Sequence, residues 1–252
     1  MDRKVYKLPL KKTGISNFPC PTCGKGRLQI IKGKFHYEET KSSKKAHSHE
    51  AWDPDWIKFI YSCLLECSDA GCKDVVSSNG KGSVSEYYGY DHDGSPINDY
   101  EEYFIPEYFV PHLKIFQLPS ATPEEVIEEV YKSFCLFFTD PSSAANHIRI
   151  SLEHLLTHLK IKRYITNNEK RSYLALHKRI ELLPRKYDHI RDLFFAIKWL
   201  GNAGSHSAKS ISADDVLDSY ELMDELLAEI FITKSKKVAS LAKKINKKKG
   251  PK

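Results

Sequence analysis

The sequence has no long apolar run, and this absence limits where the protein can reside. No segment approaches the roughly 18 consecutive apolar residues that a membrane-spanning helix needs. Residues 1–12 alternate lysine with apolar residues and lack the apolar core and the cleavage site of a secretory signal. We therefore expect a cytoplasmic protein that does not bind a membrane. In that reducing compartment, closely spaced cysteines favour metal binding over disulfides.

Two other patterns are missing. The sequence contains no internal repeat with a period of about 20 to 50 residues. It also contains no glycine-rich phosphate loop of the Walker or Rossmann type, because Gly80-Lys81-Gly82 is not followed by a helix pattern. A small-molecule enzyme of either type is therefore disfavoured. The 252 residues are 41% apolar and 29% charged, which is compatible with one large or two modest globular domains.

Basic charge is concentrated at the C-terminal end. The formal net charge is +6, but residues 234–252 contain nine lysines and no acidic residue, so subtracting +9 leaves the other residues at −3. A lysine-rich segment of this kind can neutralise phosphates of RNA or DNA, and Lys243, Lys244, Lys247 and Lys248 are its candidate contacts. The alternative is a solvated terminus that aids solubility.

The order of the patterns predicts an α+β protein. Residues 1–118 are β-rich, with strands at 28–32, 56–65, 74–78 and 83–88, a hairpin turn at 79–82, a turn-rich stretch at 91–103 and an extended, proline-rich connector at 104–119. Residues 119–233 predict an all-α bundle of about five helices, covering 122–139, 140–159, 172–182, 188–200 and the segment after Ser212. Gly201 is expected to stop the fourth helix. Residues 234–252 form the basic tail.

Four cysteines predict a structural zinc site in the β-rich region. Residues 20–26 read CPTCGKG, in which Cys20 and Cys23 have the spacing of a zinc knuckle. Cys67 and Cys72 enclose a polar loop after a predicted strand and supply the second pair. Four thiolates leave no open position for water, so the expected Zn²⁺ is structural and not catalytic.

Other readings of the cysteines and histidines remain open. Cys63 could replace Cys67 or Cys72, although it lies within the apolar strand. All six cysteines could instead be buried thiols, and Cys135, between Phe134 and Leu136, is expected to pack in a core. His36, His47 and His49 could act as substitute ligands, but they are more simply loop residues.

A polar cluster near the end of the fourth predicted helix is the candidate catalytic site. His206 could act as a general acid or base, and Asn202 and Lys198 could bind a phosphate. The alternative is structural, with these residues closing a helix-to-helix junction. Arg149 and Glu153, four residues apart on a helix, form a second candidate ligand-binding pair, or else a simple surface ion pair.

Several strings along the chain resemble a known family. CPTCGKG, ECSDAGC with NGKG, FIPEYFVPHL, DPSSAANHIRISLEHLL, LALHKRI and AIKWLGNAGSH occur in the order seen in the stand-alone bacterial proteins of domain-of-unknown-function family 4145. The resemblance spans about residues 20–231. It favours Cys67 and Cys72 over Cys63, and it implies an association with bacterial antiviral defence and nucleic acid.

The helical part also resembles the HEPN superfamily of helical bundles. This resemblance implies a homodimer and, in many members, a metal-independent ribonuclease with an Arg-Asn-x-x-x-His motif. Asn202 and His206 match that spacing, whereas Gly201 stands at the Arg position. The departure puts catalysis by this route in doubt, since the nearest cation in the sequence is Lys198.

Two functional hypotheses follow. The first is a non-catalytic nucleic-acid or protein-interaction module, in which Tyr87, Tyr88 and Tyr90 stack on bases or else pack the ribbon's own sheet. The second is a ribonuclease that uses His206 and Asn202, with Lys198 and Arg149 holding the scissile phosphate. We favour the first, because the motif Arg is missing. The ribonuclease hypothesis requires that these side chains converge on one cleft.

Overall fold

The secondary structure is α+β, as the sequence predicts. The computed structural model describes residues 2–12, 15–90, 93–167, 170–206 and 211–232. They divide into two compact units: the described residues of Met1–Ile115 with Phe134–Thr139, and Phe116–Ser133 with the described residues from Asp140 onward. Among the described helices, none has the length and apolar character needed to cross a membrane.

The first unit is built on one antiparallel sheet. Its five strands are β1 (Ile15–Pro19), β2 (Arg27–Glu39), β3 (Lys58–Cys67), β4 (Val75–Tyr90) and β5 (Pro96–Val110), and each pairs with its neighbour in sequence. Helix α1 (Lys41–Ala46) and the 3₁₀ turns Arg3–Lys7 and Pro54–Trp56 lie outside the sheet. Buried and exposed residues alternate along β3, because successive side chains of a strand point to opposite faces.

Phe104 of β5 lies at the centre of an aromatic core on the inner face of this sheet. Its side chain is fully buried, and the rings of Phe35, Tyr37 and Tyr61 have their centroids 4.8, 5.3 and 5.4 Å from its own. The Leu10 amide donates a 2.7 Å hydrogen bond to the Phe104 carbonyl. Burial of each such ring stabilises the fold by about 1.5–3 kcal/mol. The register places this core beside Phe59 and Tyr61, in the first half of β3.

The hairpin turn predicted at residues 79–82 is wrong. These residues lie inside β4, which continues to Tyr90. A Cβ atom at Gly82 would lie 2.6 Å from the Phe104 ring, and a Cβ atom at Gly80 would lie 2.2 Å from the Ile105 carbonyl oxygen. The close approach of β5 therefore requires these glycines, and a glycine inside a strand commonly marks such an approach.

The turn-rich stretch predicted at 91–103 and the connector predicted from residue 104 are wrong over Pro96–Val110, which forms strand β5. The turn is confirmed just before this strand, at Asp93 and Gly94. The pairing of β5 with β4 extends from Tyr90↔Pro96 to Ser77↔Val110. β5 is the last strand of the sheet. An edge strand tolerates proline because no described strand pairs along its outer side, where β5 makes an isolated bridge from Phe104 to Leu10. Irregular backbone begins only after Val110 and extends to the first long helix.

The second unit is mainly helical. It contains most of α2 (Glu124–Leu136), together with α3 (Pro141–His158), α4 (Leu176–Glu181), α5 (Arg191–His206) and α6 (Ala213–Phe231). Asp140 caps α3 by accepting the Ser143 amide, and Ser212 and Asp215 form a capping box at α6. The apolar faces of α3, α5 and α6 contribute fully buried side chains, among them Ile148, Leu152, Leu155, Phe194, Ile197, Tyr220 and Met223.

The prediction of an all-α domain is wrong at one point. Strands β6 (Tyr164–Asn167) and β7 (Lys170–Tyr173) form a two-stranded antiparallel sheet between α3 and α4. Tyr164 and Tyr173 face each other across the strands, with ring centroids 5.7 Å apart. Such cross-strand aromatic pairs stabilise short hairpins. The helix predicted at 172–182 is therefore reduced to Leu176–Glu181.

Gly201 does not end a helix, contrary to the sequence prediction. Helix α5 continues through it to His206. A Cβ atom at position 201 would lie 2.4 Å from Arg149 Cβ and 3.0 Å from the Ala145 carbonyl oxygen. The glycine therefore allows α3 and α5 to approach closely. As a consequence, residues 201–206 are helical and do not form the junction loop expected from the sequence.

Candidate functional site

The four predicted cysteines lie together in the first unit. The Sγ atoms of Cys20, Cys23, Cys67 and Cys72 are all within 4.8 Å of one another, and this set could hold a metal ion. Cys20 and Cys72 have Sγ atoms 3.8 Å apart, and those of Cys23 and Cys67 are 3.6 Å apart. A tetrahedral site with metal–sulfur bonds of about 2.3 Å requires sulfur separations of about 3.8 Å. The geometry fits one tetrahedral metal ion.

Strand ends and glycine turns position these thiols. Cys20 follows β1, Cys67 is the last residue of β3, and Cys72 lies in the loop before β4. The amide of Gly26 donates to Cys23 Sγ at 3.4 Å. A Cβ atom at Gly26 would lie 2.3 Å from Cys67 Sγ, so only glycine fits at this position. The cysteine cluster itself therefore requires a glycine at position 26, three residues after Cys23.

Backbone hydrogen-bond donors lower the pKa values of the clustered thiols, and burial raises them. Hydrogen bonds from the Gly26 and Lys25 amides lower the pKa of Cys23 to about 7. Desolvation raises the pKa of Cys67 to about 12, against one amide donor from Asp69. A bound cation favours the thiolate form of every ligand. The cluster is therefore arranged to receive a positive ion, because amides point at its sulfurs.

The remaining cysteines lie apart from this cluster. Cys63 is in the middle of β3, and burial raises its pKa to about 12. Cys135 is exposed, so the prediction that it packs in a core is wrong. Among the histidines, His47 Nε2 contacts Glu39 Oε1 at 2.8 Å and His49 Nδ1 accepts the Ala51 amide at 3.1 Å. These two rings have partners other than a metal.

The three tyrosines proposed for base stacking lie at the end of β4. Tyr87, Tyr88 and Tyr90 are 50%, 73% and 77% exposed. This part of β4 extends beyond β3, whose first residue, Lys58, pairs with Ser83. The three rings therefore do not belong to the buried core of the sheet, and they are accessible to a partner.

Arg149 and Glu153 form an ion pair on α3 in the second unit. Arg149 Nη1 lies 2.6 Å from Glu153 Oε1, and its Nε donates to Asn146 Oδ1 at 3.1 Å. The other carboxylate oxygen of Glu153 accepts the Tyr173 hydroxyl at 2.7 Å. Because Arg149 also contacts the Gly201 backbone position, the pair lies beside α5 and is more than an isolated surface contact.

The predicted catalytic residues lie on α5. Lys198, Asn202 and His206 are spaced by four residues, so the continuous helix places these positions on one face. Lys198 is only 7% exposed, and burial lowers its pKa. Its ammonium lies 3.3 Å from the centroid of the Trp199 ring. The side chain of His206 and the tail residues Lys243, Lys244, Lys247 and Lys248 lie outside the part that the structure describes.

Sequence reasoning missed two side chains. Arg179 of α4 is fully buried and donates to the Glu153 carbonyl, Thr157 Oγ1 and the Ile161 carbonyl. Its position in the apolar series Leu176, Arg179, Ile180 and Leu183 was the available signal, since these spacings share one helix face. Trp199 is 58% exposed, and the available signal was helical spacing, since position 199 lies on the opposite side of α5 from the buried Phe194 and Ile197.

Two family models match the chain. Residues 129–248 match the model described as Domain of unknown function (DUF4145). This part of the chain is therefore similar to the DUF4145 family. The resemblance inferred from the motifs is thereby confirmed. Residues 8–109, which include the four clustered cysteines, match a second model, Domain of unknown function (DUF8608). Comparisons with curated proteins and with solved structures found no significant match.

Helices α3 to α6 and the β6–β7 hairpin all fall within the DUF4145 domain. The α5 face with Lys198 and Asn202 and the Arg149–Glu153 pair therefore belong to it, whereas the cysteine cluster lies in the DUF8608 region. Neither family description states an activity. The chemistry of these two sites is therefore the evidence on function.

Proposed function

We propose that this protein is a nucleic-acid-associated binding module whose first unit is a zinc ribbon. The observation that carries the proposal is the cluster of four thiols within 4.8 Å, which supplies a complete tetrahedral ligand set from the chain itself. Four thiolates suit Zn²⁺ and leave no coordination position for water or substrate. The metal would therefore be structural, and the binding surface must lie elsewhere on the molecule.

Charge supports nucleic acid as the partner. Residues 234–252 contribute nine lysines and no acid to a chain whose other residues sum to −3. Phosphate neutralisation by lysine releases counterions and supplies most of the non-specific affinity for RNA and DNA. The homodimer, the bacterial defence role and the HEPN-like character of the helical domain, which the resemblance implies, belong to the same proposal.

Substitution in the tail tests the binding function. We expect the full-length, metal-loaded protein to bind labelled single-stranded RNA or DNA, with an affinity that falls as salt rises. Changing Lys243, Lys244, Lys247 and Lys248 to Gln should reduce the slope of log affinity against log salt by up to about 2.8, or about 0.7 per phosphate contact. The measurement is fluorescence anisotropy at several salt concentrations.

The matched control replaces the same four lysines with arginine, which keeps the charge. Retained binding in the Arg variant and weakened binding in the Gln variant would support a phosphate-contacting tail. An unmodified protein that binds neither RNA nor DNA at about 50 mM salt, where electrostatic binding is strong, would contradict the proposed function.

A metal-independent ribonuclease is the second candidate. It is favoured by the continuation of α5 through His206, which aligns positions 198, 202 and 206, and by the contact of Arg149 with Gly201. Arg149, whose Cβ lies against Gly201, would supply from α3 the cation that is absent at position 201, and its guanidinium would exchange Glu153 for the phosphate. In this mechanism His206 takes a proton from a ribose 2′-hydroxyl, and Asn202 and Arg149 hold the phosphate.

Cleavage assays test this candidate. The metal-loaded protein and His206→Ala are incubated with labelled RNA in a buffer without added divalent ions. The ribonuclease candidate predicts cleavage by the unmodified protein and a loss of at least about 100-fold in the variant, the usual contribution of a general acid or base. RNA that stays intact with both proteins would exclude the candidate, and equal cleavage by both would indicate a contaminant.

A further inference from the structure

Lys198 of the DUF4145 domain is a buried cation in an unusual setting. Its side chain is more than nine-tenths buried. Across the described ranges of the chain, its ammonium has neither a hydrogen-bond partner nor a carboxylate, and the contact that it makes is with the Trp199 ring. A cation that is largely withdrawn from water without a counterion is unfavourable, and burial lowers the pKa of Lys198 accordingly. An anionic ligand that reached this ammonium would supply the missing counterion.

Trp199 adds an exposed aromatic surface at the same place. It is 58% exposed, and the His177 ring lies against it with a centroid separation of 6.3 Å. The same His177 ring lies 5.0 Å from that of Phe195, one turn earlier on α5. The indole is therefore supported from the α4 side while much of its surface stays open. Large, supported and exposed aromatic rings are the side chains on which unpaired bases stack.

The nearby carboxylates already have partners. Glu181 pairs with Lys178 at 2.9 Å and with His177 at 3.4 Å, and Glu153 pairs with Arg149 at 2.6 Å. Neither carboxylate is bonded to Lys198. Asn202 follows Lys198 by one helical turn and brings an amide donor to the same face. This part of α5 thus combines a cation that has no ion pair among the described residues, an amide and an exposed indole.

We infer that Lys198 and Trp199 form a subsite for one nucleotide of a single-stranded nucleic acid. In this subsite Lys198 contacts the phosphate, Trp199 stacks on the base, and Asn202 donates to the sugar–phosphate backbone. The inference rests on the proposed nucleic-acid function and locates it on the folded domain. A double helix does not fit, because its bases are already stacked on one another.

Binding by variants of the full-length, metal-loaded protein tests the subsite. We expect Trp199→Ala to weaken binding of a 12-nucleotide labelled oligo(U) or oligo(dT) by about 5- to 150-fold, the range measured for loss of one base stack. Trp199→Phe keeps a ring and should stay within about 3-fold of the unmodified protein. Lys198→Met should reduce the salt slope by about 0.7, the value for one phosphate contact on a single strand.

The matched control is Trp56→Ala, because Trp56 is an exposed tryptophan of the first unit, 39% exposed. It should leave the affinity unchanged, and unchanged thermal unfolding of the Trp199 variants would show that the fold is intact. Equal binding by the unmodified protein and Trp199→Ala would overturn the subsite while leaving the nucleic-acid function standing. Loss of a dimer in Trp199→Ala, with no change in affinity, would also overturn it and assign the indole to a second copy.

A separate readout covers the case in which the protein binds no oligonucleotide, so that the proposed function itself fails. The fluorescence of the unmodified protein is then titrated with adenosine monophosphate, with Trp199→Phe as the reference. Quenching that is absent in Trp199→Phe and weaker in Lys198→Met would support a mononucleotide site. Equal quenching in the three proteins, or none in any of them, would overturn the inference.

Discussion

Cys23→Ser is expected to unfold the first unit at temperatures at which the unmodified unit is folded. Structural zinc contributes about 10–16 kcal/mol of binding free energy in small zinc domains. Loss of one thiolate of four should therefore cost about 3 kcal/mol or more, which lowers the Tm of a unit of this size by about 12 °C or more. Removal of the metal with a strong chelator should have the same effect. The measurement is calorimetry together with metal content by elemental analysis.

Cys135→Ser is the matched control for that experiment. It also removes a thiol, but Cys135 is exposed and lies outside the cluster. Its Tm and its metal content should equal those of the unmodified protein. One zinc ion per chain in the unmodified protein, together with a lower zinc content in Cys23→Ser, would identify the metal. Purified protein without a bound metal, or with a Tm indifferent to chelation, would contradict the proposed zinc ribbon.

Arg179→Met is expected to produce the largest loss of stability in the helical unit. The guanidinium is fully buried and donates to the Glu153 carbonyl at 3.1 Å, to Thr157 Oγ1 at 2.9 Å and to the Ile161 carbonyl at 3.3 Å. Two of these acceptors lie in the last two turns of α3, where the Thr157 hydroxyl also donates to the Glu153 carbonyl at 2.9 Å. Removing the guanidinium from this buried hydrogen-bond network should cost about 3–5 kcal/mol.

Hydrogen exchange of the α3 amides in the full-length protein measures this effect without requiring that the two units unfold together. Lys178→Met is the control, because it removes an adjacent cation with a largely exposed ion pair to Glu181. Such pairs contribute about 0–1 kcal/mol. If the α3 amides exchanged equally slowly in Arg179→Met and in Lys178→Met, the buried guanidinium would not stabilise the end of α3.

The cysteine cluster illustrates what local sequence can predict. The CPTCGKG string at residues 20–26 contains the ligand spacing and the glycines that leave room for sulfur, because a knuckle is a short-range structure. The second pair of ligands is less evident from the sequence. Cys63 and Cys67 point to the same face of β3, so strand alternation does not separate them. The position along the strand distinguishes the two: Cys67 is the last residue of β3 and joins the cluster, whereas Cys63 lies in the middle of the strand.

The glycines illustrate where local reasoning fails. The Asn-Gly pair at 79–80 has the sequence of a turn, and Gly201 has the position of a helix stop. In the structure both glycines instead allow a neighbouring element to come close: β5 approaches Gly80, and Arg149 of α3 approaches Gly201. Glycine serves both purposes because it has no Cβ atom. Which purpose applies depends on the element that packs against it, and that element is distant in the sequence.

The sequence by itself determined the α+β class, the DUF4145 relationship and the cysteine spacing, since composition, periodicity and short motifs are properties of neighbouring residues. Only the tertiary structure decided that α5 continues past Gly201, that Arg179 is buried, and that Lys198 lies against an exposed Trp199. These features arise where helices meet, and contacts between segments far apart in the chain leave no regular pattern in either segment.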